Sequence, residues 1–335
     1  MPKVAPRFWQ ADTASPLPSL LRPLAALYGL GNRLNRRMTA AQSVGLPVLS
    51  IGNLVAGGAG KTPTAIALAQ RLLALGRHPQ IVSRGYGGRL PGPVRVDLQR
   101  HTAADVGDEA LLLAAAAPTW IGRDRVAAAH AAATAGADCI IADDAHQTYA
   151  LARSLSLLVV DGGYGFGNGL QLPAGPLREP IEDGLSRCDA VVVIGPRSVA
   201  LPDFGRRPVF AATLDPNPAD AVRLRGRRVL AFAGIGRPEK FFTSLQQAGA
   251  TVVQTATFPD HAAYSPDTVM RLVENAHALN AIPVTTAKDQ VRLPARARAM
   301  VDVLRVALSF AEPQQIDTWL QTRLITAQKT MKPGA

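Results

Sequence analysis

A glycine-rich segment after the first long apolar run contains residue types that bind nucleotide phosphates. Gly57, Gly58 and Gly60 allow a tight turn, and the backbone N–H groups of such a turn can cradle an anion where a helix begins. The Lys61 side chain can reach the β- and γ-phosphates, and the Thr62 hydroxyl can ligate Mg²⁺. The predicted nucleotide-binding residues are Ala56, Gly57, Gly58, Ala59, Gly60, Lys61, Thr62 and Pro63.

Val55 makes this segment a variant of the usual phosphate-binding loop. The motif G-x-x-x-x-G-K-[ST] has glycine at the position that Val55 occupies. The form G-G-x-G-K-T nevertheless occurs among P-loop proteins. A strand-like run, Val48–Ile51, precedes the glycines, and a helical pattern, Thr62–Leu75, follows them. This order of strand, loop and helix favours a nucleotide site over a fortuitous glycine-rich loop.

Paired carboxylates follow a second apolar run, in the segment "CIIADD" that ends with Asp143 and Asp144. P-loop proteins hold their metal ion with a carboxylate at the end of a neighbouring strand. One of the two is predicted to contact Mg²⁺, directly or through water, and the choice between them stays open. The alternative is helix capping or a solvated strand end. Asp161, in "LLVVDGG", is a weaker candidate for the same role, and Thr62, Asp143 and Asp144 form the predicted metal set.

The composition is that of a globular protein with room for two domains. Of the 335 residues, 47% are hydrophobic and 18% are charged. The sequence has no apolar run of the roughly 18 to 20 residues that a spanning helix needs, and no secretory signal is predicted. Cys139 and Cys188 are predicted to be free, buried thiols in a reducing compartment.

Positive charge is concentrated near the N-terminus. The net charge is +11, and no acidic residue lies between Asp12 and Asp97, a stretch with many arginines. This distribution favours an N-terminal side that faces anions such as phospholipid or a phosphorylated substrate. A nucleic-acid partner is not predicted, because the few aromatic residues form no clusters with basic ones.

A helix predicted over Leu17–Arg37 is amphipathic. Leucines 17, 20, 21, 24, 27 and 34 and Tyr28 cluster on one side, and Arg22, Arg33, Arg36 and Arg37 lie opposite. Such a helix can lie in a bilayer interface with its cations at lipid phosphates. The alternative at this point is an ordinary surface helix packed on the domain.

The rest of the chain alternates short strands with helices, which predicts an α/β fold. We expect a P-loop NTPase-type, mostly parallel sheet flanked by helices, a second smaller α/β domain, and the N-terminal amphipathic helix. Predicted strands are Val48–Ile51, Gln80–Ser83, Cys139–Asp143, Leu157–Asp161, Ala190–Ile194, Val209–Ala212, Val229–Ala233, Thr251–Thr255 and Ile282–Thr285. The predicted divisions are residues 1–40 with the interface helix, 41–215 as kinase core, 216–328 as second domain, and 329–335 as a disordered tail.

Six further motifs, with the phosphate loop, closely resemble those of the tetraacyldisaccharide 4'-kinase family, the lipid A kinases of Gram-negative bacteria. They are "SRGYGG" (83–88), "VGDEALLL" (106–113), "GRDRVAAA" (122–129), "FGNGLQLPAGPLREP" (166–180), "FPDHAAYS" (258–265) and "VTTAKDQVRLP" (284–294). The resemblance covers roughly residues 5 to 325. It implies a phosphotransferase that moves the γ-phosphate of ATP to the 4'-hydroxyl of a tetraacyl disaccharide 1-phosphate.

The same resemblance implies cofactors, location and partners. ATP and Mg²⁺ are the implied cofactors, and the implied location is the cytoplasmic face of the inner membrane, reached through the N-terminal helix. No obligate protein partner is expected. The rival interpretation is a membrane-associated P-loop ATPase switch that has no lipid acceptor. Such switches usually carry a signature lysine just before the paired glycines, where this chain has Ala56.

The resemblance also implies roles for individual residues. Asp108 matches the family's catalytic aspartate, and His261 matches its partner histidine, so the second domain must close on the first. A carboxylate can orient the sugar hydroxyl and accept its proton. Arg84, Arg123, Arg125 and Arg178 are candidates for holding ATP phosphates or the substrate 1-phosphate, with Glu179 in the same network. The stretch from Thr285 to Asp289 is expected to meet the nucleotide.

The chain departs from the family pattern after the metal-binding strand. The family usually has D-D-G-F-Q-H there, whereas this chain has Ala145, His146, Gln147 and Thr148 after the two aspartates. We do not transfer the role of the family's histidine to His146. Two smaller departures are Ala287, where the family often has an acidic residue, and Ala262, where it commonly has a second histidine.

Overall fold

The computed structural model describes residues 6–10, 13 and 15–331, and they form two sheets with helices on their faces. Within this part the strands are β1 (Val48–Gly52), β2 (Pro79–Ser83), β3 (Val94–Arg95), β4 (Thr119–Ile121), β5 (Cys139–Ala142), β6 (Leu155–Asp161), β7 (Ala190–Ile194), β8 (Val209–Pro216), β9 (Arg228–Ala233), β10 (Thr251–Thr257), β11 (Ile282–Thr286), β12 (Asp302–Leu304) and β13 (Val306–Phe310). Every predicted strand is among them.

The helices of the described residues follow the same chain order. They are α1 (Leu17–Met38), α2 (Lys61–Ala74), α3 (Ala103–Val106), α4 (Asp108–Ala114), α5 (Arg125–Thr134), α6 (Ile181–Leu185), α7 (Pro218–Leu224), α8 (Pro238–Gln247), α9 (Pro266–Ala278), α10 (Ala287–Gln290), α11 (Ala295–Arg298) and α12 (Pro313–Met331), besides a 3₁₀ turn at Arg7–Trp9. None of the helices described combines the length and the apolar character that crossing a bilayer requires.

The large sheet has the order β13-β8-β7-β6-β1-β5-β2-β4-β3 and is parallel except at its two edge pairs. Its central strands are buried on both faces, as a parallel sheet covered by helices requires. Because β1, β2, β5 and β6 are mutually parallel neighbours, the loops that leave their carboxyl ends gather at one edge of the sheet. The phosphate loop, "SRGYGG", the paired aspartates and Asp161 are all at that edge.

The small sheet has the order β10-β9-β11-β12 and is entirely parallel. Helices α8 and α9 cover its two faces, with Phe241 and Leu245 in one apolar cluster and Val269 and Leu272 in the other. The predicted second α/β unit is therefore present as a sheet with its own core.

The C-terminal part differs from the prediction that a second unit runs to residue 328. Strand β13 pairs with β8 of the large sheet, and Ile316, Leu320 and Leu324 of α12 are buried in the core of that sheet. The sequence could not assign this segment, because its apolar pattern fits either core equally well. Helix α12 continues to Met331, and residues 332–335 of the predicted tail lie outside the described part.

Helix α1 confirms the predicted helix but turns its small residues, not its leucines, toward the protein. Ala25 and Gly29 are buried, and a Cβ on Gly29 would lie 2.7 Å from Oε1 of Gln171. The leucine face is left in solvent, with Leu20 75% and Leu27 65% exposed. Large exposed apolar patches of this kind mark interaction or membrane surfaces.

Candidate active site

The phosphate loop connects β1 to α2, and its conformation depends on glycine. Gly57 and Gly60 have φ of 120° and 89°, and a Cβ on Gly60 would lie 2.4 Å from Cδ1 of Ile194. Val55 does not face the phosphate side of the loop. It is buried in an apolar cluster with Leu177 and pairs with that residue through an isolated bridge. Glycine is therefore dispensable at residue 55, which accounts for the variant motif.

Lys61 begins α2 and folds back over the loop. Its Nζ donates to Oδ1 of Asn53 (3.1 Å) and to the carbonyl oxygen of Gly57 (3.4 Å), and it lies 3.7 Å from Oδ1 of Asp144. Thr62 is the next residue of the helix and is partly exposed. The ammonium group thus lies over the loop, where it could contact the β- and γ-phosphates of a nucleotide. Asn53, which the sequence analysis missed, supports it.

The two predicted metal ligands have opposite electrostatic environments. Asp143 is fully buried and its Oδ1 has no hydrogen-bond partner among the described residues. Burial, with repulsion from Glu109 and Asp144, raises the pKa of Asp143 to about 7. Asp144 has a φ of 46°, and although burial opposes ionisation, Lys61 and Arg178 lower the pKa of its carboxyl to about 2.

This donor set fits Mg²⁺. The ion prefers one or two carboxylates together with a hydroxyl, waters and substrate phosphates rather than a cage made wholly of protein. In the described part of the chain, no group of three or more His, Cys, Asp and Glu side chains could hold an ion by itself. The unpartnered buried Oδ1 of Asp143, next in the chain to Asp144, matches an incomplete site that Mg²⁺ with ATP would complete.

Two of the four candidate arginines contact the loop after β5 (residues 143–148) directly. Arg125 donates to the Thr148 hydroxyl and to the carbonyl oxygen of Asp144 (3.0 Å), so it stabilises the conformation of this loop. Arg178 donates to Oδ1 of Asp144 (2.8 Å). Burial lowers the pKa of Arg125, and the positive charge of Arg84 lowers it further, against the pull of the two aspartates. Cations therefore surround the position where nucleotide phosphates would lie.

Arg84 and Arg123 are exposed and lie at loops on the same edge. Arg84 follows β2, and the backbone N–H of Arg123 donates to the carbonyl oxygen of Pro91 (2.9 Å). The exposed side chains of both residues can rearrange around an incoming ligand.

Glu179 lies in a buried network behind the loop. It accepts from Arg187 and from Nε2 of Gln147 (2.9 Å), and Gln147 also donates to the carbonyl oxygen of Asn53 (3.0 Å). Glu179 thus connects the loop after β5 to the start of the phosphate loop, and its side chain does not face solvent. The sequence analysis named Gln147 only as part of the stretch that departs from the family pattern, and it did not single out Arg187, which lies outside the quoted motifs.

His146 is a core residue. It is fully buried, and its ring nitrogens lie 3.2 Å from Oγ of Ser156 and 3.1 Å from the carbonyl oxygen of Gly184. Burial lowers the pKa of His146 to about 3, so the ring is neutral at pH 7. Both ring nitrogens are engaged by these two partners, and Nε2 also lies 3.9 Å from Oε1 of Glu179.

The two sheets meet where Asp108 and His261 contact each other. Asp108 begins α4 and is buried, whereas His261 has a φ of 59° in the loop after β10 and is about a third exposed. Nδ1 of His261 lies 2.9 Å from Oδ2 of Asp108. Burial opposes ionisation of Asp108, but this hydrogen bond and the charges of Lys288 and Arg292 lower its pKa. The same bond raises the pKa of His261, against burial and the charge of Lys288.

Close packing of "SRGYGG" against the start of α4 fixes Asp108 in place. A Cβ on Gly107 would lie 2.4 Å from the carbonyl oxygen of Tyr86, and one on Gly88 would lie 2.7 Å from that of Asp105. The Tyr86 ring also contacts His261 edge-on, with 5.7 Å between ring centroids. Glycine is therefore required at these positions, and the motif serves to position Asp108.

The segment after β11 lies at the Asp108 side of the site. Nζ of Lys288 lies 3.5 Å from Oε1 of Glu109, and Nε of Arg292 lies 3.5 Å from Oδ2 of Asp108. Sequence analysis expected this stretch at the nucleotide and did not single out Arg292. The available signal was its place in the motif "VTTAKDQVRLP", which begins in the parallel strand β11 and continues into the loop after it.

Comparisons with known proteins identify relatives of this chain. A family model described as tetraacyldisaccharide-1-P 4'-kinase matches residues 17–325. The tetraacyldisaccharide 4'-kinase of Rhodospirillum centenum is 52% identical over 321 residues, covering 94% of this chain and 95% of that protein. The enzyme of the same name from Paramagnetospirillum magneticum is 51% identical over 312 residues, covering 92% and 95%.

A solved structure is similar over almost the whole fold. It is the "apo" form of LpxK from Aquifex aeolicus in complex with ATP, with a TM-score of 0.73, 25% identity, and coverage of 92% of this chain and 99% of that one. The match over residues 17–325 and these similarities show that the chain belongs to the tetraacyldisaccharide 4'-kinase family.

Proposed function

We propose that this chain transfers the γ-phosphate of ATP to the 4'-hydroxyl of a tetraacyl disaccharide 1-phosphate, as the names of its relatives imply. The observation that carries the proposal is the Asp108–His261 contact. An ATPase without an acceptor needs only a phosphate loop and a metal site. This chain adds the buried carboxylate of Asp108, which a histidine from the small-sheet unit holds. The next residue, Glu109, carries a charge that raises the pKa of Asp143 in the proposed metal site.

Asp108 serves as the base for the sugar hydroxyl. Phosphoryl transfer depends mainly on positioning and charge neutralisation, so the carboxylate orients the hydroxyl and accepts its proton late in the reaction. Nδ1 of His261 is bonded to Oδ2 of Asp108. The other carboxylate oxygen, Oδ1, accepts the backbone N–H of Glu109 at the start of α4. His261 keeps Asp108 ionised and holds its orientation.

Lys61 and the arginines neutralise the transferred phosphate. Lys61 exchanges its contacts with Asn53 and Asp144 for the β- and γ-phosphates, and Arg178 stays beside Asp144. Thr62, Asp143 and Asp144 would hold Mg²⁺, which screens the negative charge of the triphosphate when bound. Arg84 and Arg123 are exposed and are free to reach the phosphates of ATP or the 1-phosphate of the acceptor.

We infer that the reaction takes place at a membrane surface, on the cytoplasmic face of the inner membrane, and helix α1 supports this. Its exposed leucines enter the bilayer interface, and Nδ2 of Asn32 donates to the carbonyl oxygen of Arg178 (2.7 Å). Because Arg178 also binds Asp144, a lipid lying along α1 is close to the phosphate-binding edge. A cavity of about 300 Å³ is lined by Arg33, Arg36 and Arg37 together with Glu182 and Asp183. An anionic lipid headgroup can approach the arginines there.

A direct transfer assay tests the proposal. Purified protein is incubated with γ-labelled ATP, Mg²⁺ and the tetraacyl disaccharide 1-phosphate in mixed micelles, and we expect label in a bisphosphorylated lipid. Asp108→Ala should lower transfer by roughly 10²- to 10⁴-fold while ATP binding is retained. Asp267→Ala is the matched control, since Asp267 is an exposed aspartate in the first turn of α9. Release of labelled phosphate without labelled lipid would instead identify an ATPase.

A further inference from the structure

A second contact between the sheets lies on the phosphate loop itself. Asp161 ends β6, and its Oδ2 accepts from Nζ of Lys240 (2.9 Å) and from Arg237, both from the small-sheet unit. Its Oδ1 accepts from the backbone N–H of Gly163 (2.9 Å). Asp161 is buried, and two cations neutralise it, so its carboxylate is an anchor for the second unit and not a metal ligand.

Arg237 makes two contacts besides its ion pair with Asp161. The same Nη2 donates to the carbonyl oxygen of Gly58 (3.3 Å), at the centre of the phosphate loop. Its guanidinium carbon lies 5.7 Å from the centroid of the Tyr164 ring. A planar guanidinium makes all three contacts at once in a fixed geometry, whereas a lysine ammonium on a shorter, flexible side chain keeps the charge but not that geometry.

A short chain of contacts connects Arg237 to Asp108. Arg237 follows Gly234 by three residues in the loop after β9. Nη2 of Arg292 donates to the carbonyl oxygen of Gly234 (2.9 Å), and Asp289 accepts the backbone N–H of the same glycine (2.9 Å). Nε of Arg292 lies 3.5 Å from Oδ2 of Asp108. A Cβ on Gly234 would lie 2.9 Å from the Tyr264 hydroxyl, so this loop has little room to shift.

We propose that Arg237 is a positioning residue that couples the phosphate loop to the Asp108–His261 pair. Its contacts with Gly58 and Asp161 set how closely the small-sheet unit approaches the nucleotide. The rigid connection through Gly234 and Arg292 then sets where His261 meets Asp108. This inference rests on the proposed function, because the pair matters only if Asp108 activates an acceptor hydroxyl.

Steady-state kinetics of three variants test the coupling. Arg237→Ala should lower kcat by about 10-fold or more, because small displacements of reacting groups cost large factors in rate. Arg237→Lys keeps the ion pair with Asp161 and should recover only part of that loss. Asp161→Asn combined with Arg237→Ala should lose less than the product of the two single losses. Arg228→Ala, an exposed arginine at the opposite end of β9, is the matched control and should keep the wild-type kcat.

A second readout is independent of transfer. The imidazole pKa of His261 is measured by NMR of histidine-labelled protein with a non-hydrolysable ATP analogue bound, in wild type and Arg237→Ala. We expect the variant's value to move down toward that of free histidine, because the bond to Asp108 is weakened. An unchanged His261 pKa together with a kcat within twofold of wild type would overturn the coupling. If wild type itself labels no lipid, the proposed function fails, while the NMR result still decides the coupling.

Discussion

His261 and Asp108 are 153 residues apart in the chain, and their side chains lie 2.9 Å apart where the two sheets meet. The contact has opposite effects on the two groups: it lowers the pKa of Asp108, against burial, and raises that of His261. Each residue therefore favours the charged form of the other. A carboxylate that is both buried and ionised is suited to act as a base.

Removing His261 should move the acid limb of the pH–rate profile to higher pH. In His261→Ala, burial still raises the pKa of Asp108, while the hydrogen bond that lowered it is gone, so protonation begins at higher pH. We also expect kcat to fall by roughly 10²-fold, because the base is less well oriented. The measurement is kcat/KM across pH 5 to 9 for both proteins. His277→Ala, at an exposed position of α9, is the control, and an acid limb that does not move in His261→Ala would contradict the assigned role.

Substituting Asp143 should stabilise the protein without ligands and abolish its response to Mg²⁺ and ATP. Its pKa is raised from 3.8 to about 7, so ionisation in the fold costs stability progressively as pH rises through that interval. Asp143→Asn removes this cost, and we expect a Tm several degrees higher at pH 8, on the scale of the roughly 1–3 kcal/mol that an unsatisfied buried polar group costs. At pH 4 the gain should vanish.

Thermal melts at the two pH values, with and without Mg²⁺ and ATP, measure this prediction. Ligands should raise the Tm of wild type and leave that of Asp143→Asn nearly unchanged. Asp144→Asn is the informative comparison, because Lys61 and Arg178 stabilise that carboxylate and its loss should lower the Tm at pH 8. A Tm of Asp143→Asn at or below wild type at pH 8 would exclude the unpaired-carboxylate explanation.

Restoring the usual motif should harm the protein. Val55→Gly removes a buried side chain that packs on Leu177 and adds backbone freedom, for a total cost of roughly 2–4 kcal/mol in the free energy of unfolding. The KM for ATP should not improve, since the Val55 side chain does not face the phosphates. Denaturant unfolding and ATP kinetics measure both effects. Val55→Ala separates the lost packing from the glycine effect, and a stable Val55→Gly with a lower KM would show that the valine limits nucleotide binding.

The strand–loop–helix order and the polar residues at strand ends could be read from the sequence. Runs such as Cys139–Ala142 are too apolar and β-branched for other structures, and parallel strands necessarily gather their carboxyl-terminal loops. The lysine of the loop and the two aspartates therefore had to converge. Asp108 and His261 came only from the family resemblance, because local sequence cannot specify a contact between two sheets.

Tertiary structure decided the rest. Only its pairing with β8 assigns strand β13 to the large sheet. Arg237 looks like an ordinary surface arginine in the sequence. Arg292 lies in a quoted motif, but the motif does not indicate its partners, because both arginines bind backbone oxygens of distant loops. Edge strand β3 has two residues, too few for a periodic pattern.

The exposed face of α1 should control membrane binding. Ala25 and Gly29 already use the helix face that packs on the protein, so the leucine face remains for the bilayer. Replacing both Leu20 and Leu27 with Gln should weaken binding to anionic vesicles by at least 10-fold, because each buried leucine contributes about 1.5–3 kcal/mol. Val222→Gln is the control, since that side chain is 69% exposed on α7 of the other unit.

Salt separates the two contributions of α1 to membrane binding. The arginine side contributes about 1 kcal/mol per residue at an anionic surface and is screened by salt, whereas the leucine contribution is not. In vesicle co-sedimentation, the residual binding of the Leu20 and Leu27 double variant should therefore disappear at 0.5 M NaCl, while wild type should retain a fraction. Arg36→Gln with Arg37→Gln should give the reverse pattern, with weaker binding at low salt and little further loss at high salt. If the leucine variant bound vesicles as wild type does at both salt concentrations, α1 would be an ordinary surface helix, and the lipid acceptor would have to reach Asp144 and Arg178 by another route.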